Sequence, residues 1–211
     1  MNLLRVGLTM RIVENTEYID PRDAISQDWI NLMISLNYLP VLIPNNSNWN
    51  SELFSRLNLD ALILTNGDET KIGYKGQTNE ACDKRDFTEI FAFNYCKDKE
   101  LPILGVCRGM QFIFRFYGGK LNAIDDKSHT NTLQEVTFID GTKRHVNSYH
   151  DFTCSNDHLP DELVVWARSP EGYIEALKHK SRKILGFQWH PEREHPSTEE
   201  DILIIRNFFE G

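Results

Sequence analysis

Gly105-Val106-Cys107-Arg108-Gly109 sets a thiol between two glycines, directly after an apolar run and directly before a segment with helical spacing. Gly-x-Cys-x-Gly in that context matches the sharp strand-to-helix turn of a nucleophile elbow, written with cysteine in place of serine. Glycines suit such a turn because flanking side chains would collide with neighbouring backbone. A helix N-terminus beneath the sulfur favours thiolate over thiol, and the backbone N–H of the next residue, Arg108, is placed to donate to an oxyanion. The plain alternative is a buried structural cysteine beside chance glycines. The pentad alone does not remove it.

A nucleophilic cysteine needs a base, and Gly186-Phe187-Gln188-Trp189-His190-Pro191-Glu192 offers one. His190 follows an apolar strand candidate, and Glu192 lies two residues on. In extended backbone i and i+2 share a side, and Pro191 holds that geometry. A carboxylate there orients an imidazole and stabilises its cation. By itself His-Pro-Glu is more often a surface turn; paired with the elbow, that reading loses ground.

Two more segments converge on the same chemistry. Thr65-Asn66-Gly67-Asp68 follows an apolar run, and a glycine there lets backbone approach a ligand, which makes the Gly67 N–H the second candidate oxyanion donor. Gln111 stands four residues after Cys107, one helical turn along on the same face. Asn147, Ser148 and Tyr149, followed by His150, form a polar and aromatic cluster that reads as a turn lining a pocket.

The elements that must position these residues follow from apolar spacing. Residues 3–8, 40–43, 61–64 and 101–106 read as buried strands, and 25–36, 87–95 and 110–116 as helices, the last stopped by Gly118-Gly119 in a left-handed cap. Alternating strand and helix predicts a parallel sheet with right-handed crossovers. Beyond residue 120 the pattern changes. Strands at 134–139, 163–167, 174–178 and 184–187, then a helix at 202–209, predict an antiparallel or mixed extension of the same sheet. Ligands of open α/β sheets bind outside the carboxyl ends of the strands, which singles out the loops after Leu8, Leu64 and Val106.

Composition bounds the partners. A chain of 211 residues without repeat or linker predicts one domain over 1–211, large enough to bury a core without a metal or disulfide staple. The net charge of −8 disfavours nucleic acid, which needs a basic stripe to release counterions. No run approaches the roughly 20 apolar residues that span a bilayer, and residues 1–9 lack a signal-peptide layout. Cys82, Cys96, Cys107 and Cys154 show neither metal nor disulfide spacing, so a reducing cytoplasm is the expected setting.

Taken together, Cys-Arg-Gly-Met-Gln (107–111), His-Pro-Glu (190–192), the Asn-Gly turn and Asn-Ser-Tyr-His (147–150) resemble the class I glutamine amidotransferases, and most closely their γ-glutamyl hydrolase branch. Tyr18, Arg85-Asp86, Gly118-Gly119 and Gly172-Tyr173-Ile174-Glu175-Ala176 also fall where that branch has similar residues. The resemblance implies a flavodoxin-like α/β fold with a mostly parallel central sheet. It implies attack of Cys107 on a γ-glutamyl amide, a thioester and its hydrolysis, with no metal and no cofactor. His190 would be the general acid/base, Glu192 its orienting partner, and Gly67 and Arg108 the oxyanion amides. Gln111, Asn147, Ser148 and Tyr149 would hold the glutamyl end. Arg85 would either serve the site or pair with Asp86. Asp68-Glu69-Thr70 and Asp151 depart from the branch, whose members often carry another glycine and a glutamine there.

The leaving group falls to residues 11–23 and 68–83, which carry Arg11, Tyr18, Arg22, Lys71, Tyr74 and Lys75. This cationic and aromatic mixture in an acidic chain suits a small-molecule substrate bearing phosphate or carboxylate, against the bland reading of solvated surface charge. γ-Glutamyl-aminobutyrate, polyglutamylated folate and γ-glutamyl-CDP-amidate are substrates of such enzymes, and the nucleotide amidate fits the cationic loops. Two alternatives stay open. One is the glutaminase half of a two-chain amidotransferase feeding ammonia to a partner synthase, which is the less favoured. The other is a non-catalytic binding or thiol-sensor protein on the same fold.

Overall fold

The structure is a computed structural model that describes residues 3–14, 17–67, 70–72, 76, 83–124, 130–196 and 198–211. The expected alternation is present as β1 (Arg5–Thr9), α1 (Gln27–Leu36), β4 (Leu39–Ile43), β5 (Ala61–Leu64), α3 (Lys84–Asp98), β6 (Ile103–Val106) and α4 (Arg108–Phe116). Three short elements that spacing did not suggest lie among them: β2 (Arg11–Val13), β3 (Arg22–Ala24) and α2 (Ser51–Ser55). The second half supplies β7 (Leu121–Ala123), β8 (Thr130–Phe138), β9 (Lys143–Tyr149), β10 (Phe152–Cys154), β11 (Leu163–Arg168), β12 (Ile174–His179), β13 (Ile184–Phe187) and α5 (Thr198–Glu210).

One large sheet runs β4-β1-β5-β6-β13-β12-β11-β8-β9, while β2 and β3 form a separate hairpin. The first five strands pair in parallel, and from β13 to β9 every neighbour is antiparallel. This is the mostly parallel α/β sheet with an antiparallel extension that the element order predicts. Central strands are apolar on both faces because helices cover both. Val6, Leu8, Leu104, Val106 and Phe187 pack with Trp29 and Met33 of α1 and with Ile205 and Phe209 of α5. Leu62, Leu64 and Ile103 point the other way, into Phe93 of α3 and Met110 and Ile113 of α4. Each such side chain removed from water contributes about 1.5–3 kcal/mol. These two layers fix the carboxyl edge where the loops after β1, β5, β6 and β13 meet.

Helix ends follow local chemistry. Ser26 caps α1 by accepting from the Asp28 N–H, and Asp83 caps α3 by accepting from the Asp86 N–H. Helix α4 ends at Phe116, and Gly118 just beyond it, at φ 99°, takes the left-handed turn expected there. One expectation is corrected: residues 146–149 are not a turn but the last part of β9. Lys143, Arg144, His145 and Asn147 have little intrinsic strand preference, but a ladder with β8 from Thr130↔Tyr149 to Thr137↔Lys143 overrides it. Among the described residues, no helix is long and apolar enough to cross a membrane.

Candidate functional site

Strand β6 delivers Cys107 to the carboxyl edge of the sheet, and α4 begins at the next residue. Cys107 sits at φ 52° and ψ −105°, a conformation that costs a non-glycine residue on the order of 1–3 kcal/mol and persists only where surroundings impose it. They do so here. The Cys107 N–H donates to the Phe187 carbonyl at 2.7 Å, and the Cys107 carbonyl accepts from the Gln111 N–H at 3.0 Å. Gly109 lies against the Leu64 carbonyl so closely that any side chain would press into it. The thiol is 6% exposed at a strained turn, as the glycine pattern requires.

His190 arrives from β13, next in the sheet to β6, so its register sets the imidazole beside the sulfur. The Asn147 side chain clamps its backbone, accepting from the His190 N–H at 2.9 Å and donating to the His190 carbonyl at 2.9 Å. On the ring, Nδ1 faces the Glu192 carboxylate at 2.8 Å. Buried Nε2 has no hydrogen-bond partner among the described residues, and the Cys107 sulfur lies near enough to act on the ring's charge. Burial works against the imidazolium, but the sulfur and the Glu192 carboxylate outweigh it and lift the pKa to about 9. Tyr149 packs its ring edge-on against the imidazole at 5.4 Å. The arrangement can pass a proton between sulfur and imidazole and hold the imidazole in one orientation.

Beneath the turn lies a buried cluster of two cations and two carboxylates. The Arg108 side chain pairs with Asp86 at 2.8 Å and with Glu89. Arg85 donates from Nε to Glu89 at 2.9 Å and from Nη2 to the carbonyls of Thr65 at 2.8 Å and Asn66 at 3.0 Å. The alternative pairing of Arg85 with Asp86 is thereby corrected. Adjacent residues of a helix point apart while i and i+4 meet, so Arg85 finds Glu89 and Asp86 turns to Arg108. Removing one partner from such a buried set typically costs about 3–5 kcal/mol, because the rest is left uncompensated.

The sequence profile of the glutamine amidotransferase class-I family matches residues 17–211. The chain belongs to this family. Its relatives include γ-glutamyl-CDP-amidate hydrolase from Campylobacter jejuni, 27% identical over 97% of this chain and 96% of the relative. A glutamine-hydrolyzing GMP synthase subunit from Methanococcus maripaludis is 32% identical over 82% of this chain and 86% of its own length. The solved structure of a candidate GMP synthase subunit from Thermoplasma acidophilum superposes with a TM-score of 0.69 at 22% identity, covering 100% of this chain and 94% of that one. Members of the class I family are hydrolytic or amidotransferase enzymes, and this chain carries their fold.

Within this class I family fold, the other expected site residues divide. Gly67 lies in the loop after β5 at φ 148°, beside the Arg85 guanidinium, which leaves no room for a side chain. Gln111 is buried rather than exposed, donating from Nε2 to the Phe152 carbonyl at 3.2 Å with Gln188 Oε1 at 3.5 Å. Ser148 is fully buried in β9. Asn147 differs most from expectation, because both ends of its amide serve the His190 segment. Arg11, on β2, lines a cleft of about 280 Å³ with Ser26, Thr65, Asn66 and Arg193. Tyr18 is 57% exposed, with Arg22 Nη2 at 3.4 Å from its hydroxyl, and is not among the residues lining that cleft. Tyr74, Lys75, Asp68, Glu69 and Cys82 lie outside the described residues.

Sequence reasoning missed Arg193 and Glu89. Arg193 directly follows His-Pro-Glu and lies over the Tyr149 ring at 4.3 Å, so its position next to the motif was the available signal. Glu89 stands four residues after Arg85, the spacing of a helical ion pair. The other described cysteines are poor nucleophiles: burial pushes Cys96 up to about 12 and raises Cys154 well above its ordinary value.

Proposed function

We propose that this chain hydrolyses a γ-glutamyl amide by acyl transfer through Cys107. The observation that carries the reading is the thiol held at a strained strand-to-helix turn with the His190–Glu192 pair against it. With the proton held on His190 Nε2, the Cys107 sulfur bonds to the γ-carbonyl carbon while the carbonyl electron pair moves onto oxygen. The Gly67 and Arg108 N–H groups receive that oxyanion; a donor of this kind is worth about 10²–10³ in rate. Collapse breaks the C–N bond, and the departing amine takes the proton from His190. Water then gives a proton to His190 and attacks the thioester, releasing glutamate and freeing the sulfur. Glu192 holds the imidazole in line and stabilises its charged form.

The imidazole implies a pH signature. Its pKa is raised from 6.5 to about 9, so the charged form and the stabilisation it brings are complete below about 6.5 and are lost as pH climbs through 9. The kcat/KM for a γ-glutamyl anilide should therefore hold through neutral pH and fall along an alkaline limb near pH 9. A limb at the ordinary histidine value would contradict the pairing.

Glutamate release separates the substrate readings. A panel of γ-glutamyl amides, with and without free glutamine, should show turnover of a γ-glutamyl amide other than glutamine. Support for this hydrolase reading comes from similarity along 97% of the chain to γ-glutamyl-CDP-amidate hydrolase. The recurrent relatives among GMP synthase subunits favour a second reading, the glutaminase half of a two-chain enzyme. Hydrolysis confined to glutamine, and raised by a synthase partner, would establish that one instead. A binding or thiol-sensor protein would release no glutamate at all.

The leaving group of this reading carries an anion such as a phosphate, as a γ-glutamyl nucleotide amidate does. Arg11 and Arg193 both line one cleft beside Asn66, in a chain of net charge −8. Guanidinium–phosphate hydrogen bonds are charge-assisted and contribute about 1.5–3 kcal/mol. Arg11→Gln should accordingly lower the preference for a phosphate-bearing over a neutral γ-glutamyl amide, read as the ratio of their kcat/KM values, by about tenfold. An unchanged ratio would remove Arg11 from the leaving-group site.

A further inference from the structure

The buried charges under the Cys107 turn are more than packing. Glu89 Oε1 accepts from Arg85 Nε at 2.9 Å and from the Thr9 hydroxyl at 2.9 Å, while its other oxygen holds Arg108. Glu89 thus ties α3 to β1 and to the start of α4, and it holds the Arg85 side chain that grips the loop after β5. Both candidate oxyanion amides sit at the two ends of this bridge.

On one arm, Arg85 Nη2 grips the Asn66 carbonyl at 3.0 Å, and Trp29 Nε1 holds the Asn66 side chain at 2.9 Å. The Asn66–Gly67 peptide is trans, so its C=O and N–H point in opposite directions. Pulling the carbonyl inward toward Arg85 turns the Gly67 N–H away from the buried cluster. Thr65 is fixed as well: its N–H donates to the Thr9 hydroxyl at 3.0 Å and its hydroxyl to the Thr9 carbonyl at 2.7 Å. On the other arm, the Arg108 side chain is anchored to Glu89 and Asp86. That pins the first residue of α4, whose N–H has no intrahelical acceptor.

We propose that the Arg85–Glu89–Arg108 bridge is a positioning device that presets both amides of the oxyanion pocket, with Arg85 orienting the Gly67 peptide and Glu89 locking that arm to the Cys107 turn. This rests on the acyl-transfer reading above. None of the three side chains touches the reacting atoms; each acts through backbone that does.

The test is Arg85→Met in the full chain, assayed for glutamate release from γ-glutamyl-p-nitroanilide and, separately, for alkylation of Cys107 by iodoacetamide. Alkylation forms no oxyanion, so it reports only the thiol and its imidazole. The expected result is a fall in kcat of about 10²-fold, the loss typical of one oxyanion donor, with KM and the alkylation rate within about twofold of wild type. Arg85→Lys keeps the charge opposite Glu89, but one ammonium nitrogen cannot replace both Nε on Glu89 and Nη2 on the two carbonyls with the guanidinium's planar geometry. It should show the same split at about tenfold, and it carries the test if Arg85→Met does not fold. Unchanged kcat in a folded variant, or alkylation falling in step with turnover, overturns the positioning role. A wild-type protein that releases no glutamate sinks the acyl-transfer reading and this role together, which is distinguishable from an active wild type with an unaffected variant.

Discussion

Replacing Cys107 by alanine is expected to abolish glutamate release, by at least about 10⁴-fold, while leaving the fold intact. The rate argument is that every covalent step runs through this sulfur, and no other described cysteine offers a substitute: Cys96 and Cys154 are buried thiols with raised pKa values. The stability argument is separate. Alanine keeps the Cβ and the same strained backbone angles, so the turn is neither relieved nor further strained, and only a small buried sulfur is lost. The expected change is under about 1 kcal/mol, which for a domain of this size is a Tm shift below about 2–4 °C. Retained turnover would remove Cys107 from the mechanism. A large drop in Tm would instead support the structural-cysteine reading.

His190→Gln is expected to have the second largest effect, a loss of about 10³–10⁴ in kcat/KM, with the alkaline limb near pH 9 vanishing from whatever rate remains. Glutamine fills a similar volume, and the Asn147 clamp acts on the backbone of residue 190, so the segment should keep its place. What disappears is the group that takes the thiol proton and returns it to the leaving amine. Glu192→Gln should lose less, because the imidazole and sulfur still meet with poorer orientation. Kinetics across pH 6–10 for both variants check the ranking. Equal losses, or a surviving limb in His190→Gln, would mean that another group titrates there.

The features legible in the sequence were those specified locally. A strand, two glycines around a cysteine, and a helix are contiguous, so the elbow could be read without knowing what lay beneath it. His190 and Glu192 were legible for the same reason, since a strand followed by His-x-Glu fixes a side. Illegible features depend on contacts between distant residues. Asn147 serves His190 from 43 positions away, and nothing in Asn-Ser-Tyr-His separates a backbone clamp from a substrate contact. The ladder that makes a strand of β9 belongs to β8 and not to the polar residues of β9 itself. Arg108 was readable as a backbone donor, whereas its side chain reaches carboxylates 19 and 22 residues back that only the fold brings beneath it.

The central claim is a glutamyl thioester on Cys107. Intact-mass and peptide-mass analysis of wild type and Glu192→Gln, acid-quenched during turnover of γ-glutamyl-p-nitroanilide, tests it most directly. The account predicts a covalent glutamyl adduct on the peptide containing Cys107, more abundant in the variant if thioester hydrolysis is slowed more than its formation. Turnover with no adduct in either protein, or an adduct on Cys96 or Cys154, would contradict it.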